Sequence, residues 1–403
     1  MALLSLKDAR SRILAATASP PATEILALSD ALGRVLATPV VAQRDVPPFD
    51  NSAMDGYALR ATDLPGPVAV VQRVPAGQPA LPLAPGTAAR IFTGAVLPEG
   101  ADTVLIQENA ALEGDQLVAL EPPEPGANIR RRGGDLALGS TVLPQGSVLT
   151  PQDLGLVASV GFASVSVYRR LRIGVITTGD ELVEPGDDPE AWQIFNSNGV
   201  QLCAQLTALG FIARRYPNVP DDAELTGQVL ERAAAECDCL ITSGGVSVGE
   251  EDHVRGQIEA RGELTLWKLA LKPGKPLAFG RVSGCPVFGL PGNPVSSWVT
   301  FGLLVKPWLL ASQGAEVPAQ QRAAAVAGFS LSRPGTREEY LRVVLDQQVP
   351  PIATLTGDQS SGVLSGAGLA TALAVIPPGT TVAPGDRVQV ITITDFLSPL
   401  AAG

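Results

Sequence analysis

The sequence predicts a multidomain α/β and β protein, with one α/β domain, a β-rich inserted domain, a helical and mixed linking domain and a small C-terminal β domain. Three observations lead there. The chain has 403 residues, and about 150 residues per domain suggests two to four domains. From residue 171, apolar strand-like runs alternate with amphipathic helical runs, the pattern of a parallel-sheet domain. Elsewhere short β-type runs are punctuated by turns, in keeping with 42 Gly and 35 Pro in a chain that is 45% hydrophobic.

The elements follow in order. Ser5 with Asp8 three residues later predicts a capped helix over 6–17. "SDALGRVLA" (29–37) predicts a second short helix with Ser29 at its N-cap. Between about 60 and 145, the runs "PVAVVQRV", "AARIFTG" and "DTVLIQ" predict strands. Thr150-Pro151 opens another helix that Gly161 stops. Residues 1–46 and 146–170 are therefore expected to form one discontinuous linking domain, with 47–145 inserted as the β-rich unit. An α/β domain is expected over 171–315. Its strands are "LRIGVITTGDEL", "CLITSGG", "LTLWKLAL", "PLAFGRV" and "CPVFGL". Its helices are "NSNGVQLCAQLTALG", "AELTGQVLERAAAE" and a run over roughly 295–311. A C-terminal β domain is expected over 320–403, from "RVVLDQQV" and "DRVQVITIT".

Charge and rare residues narrow the chemistry. A formal net charge of −11 argues against a nucleic-acid footprint, which needs a basic face. An anionic ligand must find a local cationic patch instead. The start, "MALLSLKDARSRILAAT", carries charges where a signal peptide would be apolar, and no run reaches the ~18 apolar residues of a membrane span. Cys203, Cys237, Cys239 and Cys285 form no CxxC pair and read as buried thiols of a reducing compartment. A cytoplasmic protein is expected. The one histidine, His253, leaves no room for a histidine-based zinc site or a Ser/His/Asp triad with a spare histidine. Chemistry must rest on carboxylates, lysines, hydroxyls and backbone amides.

Three strand-end loops share a composition suited to phosphate. "TTGDEL" brings Thr178, Gly179, Asp180 and Glu181. "SGGVSVGEEDH" brings Ser243, Gly244, Gly245, Ser247 and Gly249, with Glu250, Glu251 and Asp252 behind them. "LPGNPVSS" brings Pro291, Gly292, Asn293 and Ser296. Glycine lets backbone N–H groups approach an anion, and ligands of such sheets sit beyond the carboxyl ends of strands. Tight strand-to-helix packing is the alternative. Asp221 and Asp222 end the "YPNVPDD" connection, and Asp222 is placed to cap the next helix. Carboxylates beside a phosphate cradle repel the ligand unless Mg²⁺ bridges them.

The cationic candidate is "RGELTLWKLALKPGKPLAFGR", with five Lys or Arg against one carboxylate. Lys268 and Lys272, an even number apart, share one face of a strand, and Lys275 follows a turn. An edge strand guarded by lysines is the alternative. "IRRRGGD" (129–135) is a second cluster ending on Asp135. A polar, turn-prone stretch, "PPFDNSAMDGYAL" (47–59), raises the question of whether Asp55 belongs to a turn or to a site.

In this order and spacing, "PPFDNSAMDGYA", "IFTGAVLP", "TTGDEL", "ITSGGVSVGEED", "WKLALKPGKPLAFG" and "GLPGNPVSS" resemble the MoeA-type molybdopterin molybdenumtransferase family, which includes the C-terminal domain of gephyrin. The resemblance spans nearly the whole chain. It implies that the α/β domain binds molybdopterin, and that the reaction inserts molybdenum from molybdate into adenylylated molybdopterin with Mg²⁺, releasing AMP. It implies an elongated homodimer whose active site is shared, the cleft lying between the α/β domain of one subunit and the β insertion of the other. Matched motif by motif, the family's functional positions fall on Asp55, Thr93, Asp135, Glu181, Asp221, Asp252, Lys268, Lys272 and Lys275. Arg342 of "EEYLR" and Ser361 of "GDQSSG" match positions near the molybdate. Asp252 and Glu181 are the expected Mg²⁺ ligands. Two departures are His253, where an aromatic residue is commoner, and the glycine-rich "GDQSSGVLSGAG". The alternatives are the same chemistry on tungstate, or a non-catalytic molybdopterin carrier or scaffold. Neither nucleic acid nor membrane is expected as a partner.

Overall fold

The computed structural model describes residues 3–65, 67–246, 252–317 and 319–397. Its centre is a six-stranded sheet built from β1 (Arg172–Thr177), β2 (Ile212–Arg215), β3 (Cys239–Ser243), β4 (Gly262–Trp267), β5 (Ala278–Val282) and β6 (Cys285–Leu290), in the order β2-β1-β3-β6-β5-β4. The β2-β1-β3-β6 part is parallel, whereas β5 and β4 run antiparallel at one edge. Strands β3 and β6 are buried at every position, as expected of a parallel sheet covered on both faces.

The helices follow from local signals. α1 (Ser197–Ala208) starts where the Asn196 side chain accepts from Gly199 N, and it buries Leu202 and Leu206. α2 (Ala223–Glu236) is capped by Asp222, which accepts from Leu225 N, and presents Thr226, Gly227, Leu230 and Ala233 inward. α3 (His253–Arg261) precedes β4. After β6, α4 (Pro294–Thr300) runs through a π turn (Phe301–Val305) into α5 (Lys306–Ser312). This run of 19 residues is long and apolar enough to cross a membrane, but 94% of it is buried inside the molecule. It is a core helix, with Trp298, Phe301 and Trp308 in the largest apolar cluster.

Residues outside the central sheet pair across long stretches of chain. Thr23–Ala27 pairs with Ser164–Tyr168, and Val40–Val41 with Thr141–Leu143. Between them lies a second six-stranded sheet, formed by Gly56–Leu59, Val68–Val74, Thr87–Ile91, Thr103–Ile106, Ala110–Glu113 and Gln116–Ala119. A third six-stranded sheet occupies the C-terminal part. The first helix, Leu6–Ala15, is capped by Ser5 as its sequence indicates, and it seats Ala9 and Ile13 in the main core.

Two local expectations are corrected. Residues 29–37 form no helix. A single 3₁₀ turn, Leu28–Asp30, is followed by chain whose Gly33 and Leu36 amides donate to Leu149 O and Ser147 O. Long-range hydrogen bonds with 147–149 outweigh the local helical pattern. "LTLWKLAL" is likewise not one strand. β4 ends at Trp267, Lys268 adopts a left-handed φ of 69°, and Leu271–Lys272 joins the C-terminal sheet beside Glu338–Leu345. Two sheets compete for this segment and divide it.

Candidate active site

The carboxyl ends of β1, β3 and β6 open into one cleft of about 700 Å³, within the range of small-molecule sites. Thr177, Thr178, Gly179 and Glu181 line it from the first loop, Ser243, Gly244 and Gly245 from the second, and Pro291, Gly292 and Asn293 from the third. The three loops that sequence singled out thus meet in space. Asp221 and Asp252 complete the acidic side. Ser296 is buried on α4 and is not on the cleft wall. Ser247 and Gly249, with Glu250 and Glu251, lie outside the described residues.

Backbone geometry explains the residue types. Gly244 has a φ of +104°, and a Cβ there would lie 2.7 Å from both the carbonyl oxygen and Oγ1 of Thr178. No other residue lets β3 turn so closely past β1. Asp180 and Asp221 sit back to back, Asp180 N donating to Asp221 Oδ2 at 3.3 Å and Asp221 N to Asp180 Oδ1 at 3.1 Å. This exchange fixes the first loop against the "YPNVPDD" connection.

Among the described residues, no three His, Cys, Asp or Glu side chains converge as a closed metal-binding group. Glu181, Asp221 and Asp252 nevertheless line one cleft beside the glycine loops. Mg²⁺ uses one or two carboxylates and completes its shell with water and phosphate oxygens. This donor set fits such an ion better than a caged one.

The remaining predicted residues fall elsewhere, and each placement has a cause. Asp55 lies in the bend just before Gly56–Leu59, where it accepts from Thr93 N and Thr93 Oγ1, both at 2.8 Å. The Thr93 backbone N–H, then its hydroxyl, hold the Asp55 carboxyl below the ordinary carboxylate range, with Arg90 adding charge. Gly56 is required beside it, because a Cβ would collide with the Leu105 carbonyl oxygen. Asp135 is exposed, its N–H donating to Val46 O at 3.0 Å. The neighbouring arginines form surface ion pairs, Arg131 with Asp50 at 2.7 Å and Arg132 with Asp45 at 2.6 Å. Asp55, Thr93 and Asp135 do not line the cleft of their own chain.

Lys268 and Lys272 do not lie on one continuous strand, which corrects the strand-periodicity argument. The Lys268 ammonium rests 3.8 Å from the centre of the Trp267 ring. Trp267 donates from Nε1 to Val246 O, on the cleft wall, at 3.1 Å. Lys272 pairs with Glu339 at 3.1 Å. Lys275 is exposed and adjoins Pro276, a cleft residue.

Arg342 is 1% exposed and does not face the cleft. Its guanidinium donates to the carbonyls of Val363 (2.9 Å), Asp358 (2.7 Å) and Ser360 (3.2 Å). It folds the loop whose Gly362 and Leu364 form one rim of the cleft. In this structure Arg342 shapes that rim. Ser361 sits in the same loop, and its carbonyl accepts from Val295 N at 3.1 Å, occupying the first free amide of α4.

Sequence reasoning missed Asn196 and Asn198 as site residues, reading "NSNGVQLCAQLTALG" only as a helix. Asn196 Nδ2 donates to Thr177 Oγ1 at 2.8 Å, and Asn198 Nδ2 donates to Ser243 Oγ at 2.8 Å and Gly292 O at 2.7 Å. Two carboxamides in three residues at a helix start is the signal that was available. Ile194 and Phe195, also unforeseen, line the cleft mouth.

Comparison with known proteins agrees with this arrangement. Residues 4–161 match the family model of the MoeA N-terminal region (domains I and II), 174–311 match a "Probable molybdopterin binding domain", and 324–393 match the MoeA C-terminal region (domain IV). A molybdopterin molybdenumtransferase of Haemophilus influenzae is 43% identical over 77% of this chain and 78% of its own. The chain belongs to the MoeA family. Molybdopterin molybdenumtransferase 2 of Mycobacterium tuberculosis is 38% identical over 91% of this chain and 94% of its own. Among solved MoeA structures, the molybdopterin biosynthesis MoeA protein of Pyrococcus horikoshii OT3 superimposes with a TM-score of 0.81 at 29% identity, covering 97% of this chain and all of its own. The multidomain MoeA architecture, with its small C-terminal β domain, is therefore that of this molecule.

Proposed function

We propose that this protein is a transferase of molybdenum cofactor biosynthesis that inserts molybdenum from molybdate into adenylylated molybdopterin and releases AMP. The observation that carries the reading is the convergence of three glycine loops and three carboxylates, Glu181, Asp221 and Asp252, on one cleft of suitable size. Relatives named molybdopterin molybdenumtransferase match over most of the chain.

In this reading the loop amides and hydroxyls hold the phosphates. Asp252 and Glu181, with Asp221 beside them, would hold Mg²⁺, which when bound offsets phosphate charge and polarises the phosphoanhydride. Lys275 and Ser361 are the chain neighbours of the cleft residues Pro276 and Gly362 and would receive the molybdate dianion by charge-assisted hydrogen bonds. Lys272 must first exchange Glu339 for that ligand. Positioning accounts for much of the rate, because molybdate and the dithiolene are brought into one cleft. With a single histidine in the chain, a carboxylate or a water takes the proton released on anhydride cleavage.

Asp55 enters through a second copy of the chain, its ionised carboxylate presented by Thr93 to the partner's cleft. The working form in this reading is a homodimer in the cytoplasm. AMP release from adenylylated molybdopterin by the purified protein with Mg²⁺, measured with and without molybdate, tests the proposal. Release that requires molybdate is the expected result. Tight binding with no release under either condition would instead favour a carrier.

A further inference from the structure

We propose that Asn198 is a positioning residue that sets the spacing of two of the glycine loops and so shapes the phosphate cradle. The inference rests on the reading of the cleft as a phosphate site. Asn198 opens α1 and lines the cleft. Its amide nitrogen has two N–H bonds, and both are engaged, one with Ser243 Oγ at the end of β3 and one with Gly292 O beyond β6. Ser243 Oγ in turn donates to Pro291 O at 3.2 Å. One carboxamide thus fastens three chain segments that span 94 residues of sequence.

The chemistry fixes the orientation. Turning the amide over would set Oδ1 against the Gly292 carbonyl, acceptor against acceptor, lose that bond, and leave only a reversed one from the Ser243 hydroxyl. The loops need such a brace because their own side chains supply one tie, from Ser243 Oγ to Pro291 O. Gly244 and Gly245 have no side chains and adopt φ of +104° and +65°. The direct backbone tie between the two loops is Gly244 N to Leu290 O, at 3.1 Å. Asn196 makes the parallel attachment to β1 through Thr177 Oγ1. α1 therefore begins with two side chains that gauge the distance between all three strand ends. Asn198 touches two loops at once, and a ligand held by both loops senses its loss directly.

The test compares the full-length protein with Asn198→Asp and Ser243→Ala, using AMP with Mg²⁺ as the calorimetric probe and hydrogen exchange at the Gly244 amide as the local readout. Asn198→Asp keeps the shape and removes both donors but adds a negative charge, so Gly244 exchange without AMP separates loss of the brace from repulsion of the phosphate. It is expected to weaken AMP about tenfold, the scale of a small misplacement of binding groups, and to speed Gly244 exchange while the far-UV spectrum is unchanged. Ser243→Ala removes one arm, so its effect should be non-additive with that of Asn198→Asp. Wild-type AMP affinity and Gly244 exchange in Asn198→Asp would overturn the proposal. So would a lowered melting temperature with both readouts unmoved, since that is the mark of a merely structural residue. If the wild-type protein binds no AMP, the nucleotide reading of the cleft fails, and Gly244 exchange alone decides on the brace.

Discussion

The α/β cleft and the Asp55 loop carry carboxylates of the same kind in opposite settings. Around the cleft, Glu181, Asp221 and Asp252 arrive from three connections and are brought together by the parallel sheet beneath them. Asp55 sits in the bend that enters a mixed sheet, away from that cleft, with its carboxylate turned to the two donors of Thr93. The first region is assembled by the fold of one domain. The second is a single well-held group, since Asp50 of the same stretch is turned to Arg131. A site distributed in this way tolerates loss of one part very differently from loss of the other.

The sharpest way to break the comparison is to remove a cleft carboxylate. Asp252→Ala is expected to abolish AMP release, a loss of at least about a hundredfold if metal-assisted cleavage is the step affected. Full activity in a molybdate-dependent assay would take Asp252 out of the metal site. Lys275→Ala comes next, with an expected loss of about tenfold in molybdate affinity and little change for nucleotide. Equal losses for both ligands would count against Lys275 as the molybdate cation.

On the other side of the comparison, Thr93→Val removes the hydroxyl donor and keeps the backbone one. The carboxyl ¹³C titration of Asp55 should then move up toward the ordinary range. The sign for stability follows from the lowered value in the folded state. Its contribution is present above the unfolded-state value and lost as pH falls through the folded one, so the variant should shed less stability in acid. An unchanged titration would show that the Thr93 hydroxyl adds nothing to the Thr93 amide and Arg90. The smallest effect is expected for Glu339→Gln. Lys272 is about half exposed in that pair (51%, against 11% for Glu339), and such pairs contribute roughly 1 kcal/mol or less. Urea unfolding should barely shift, whereas molybdate affinity should hold or rise if Lys272 is thereby released to the substrate.

Much of the site was legible because it rests on backbone demands. The glycines of "TTGDEL", "SGGVSVGEED" and "LPGNP" mark strand ends whatever surrounds them, and Asp222 caps α2 from its own sequence position. The lysine patch was misread because strand periodicity presumes one continuous strand, and Trp267 and Leu271 enter different sheets. Arg342 reads as an exposed cation in any one-dimensional view. Its burial depends on a loop sixteen or more residues later that offers it carbonyls.

By itself, then, the sequence determined which short motifs exist, where helices such as Leu6–Ala15 and α2 begin, and which family the chain joins. Those properties depend on neighbours within a few residues, or on motif order. Tertiary structure alone decided that residues 29–37 pair with 147–149 instead of coiling, that Asn198 spans two loops, and that Arg342 faces inward. Each of these turns on whether a hydrogen-bonding group finds a partner distant in sequence. A buried polar group that lacks one costs more than any local propensity returns.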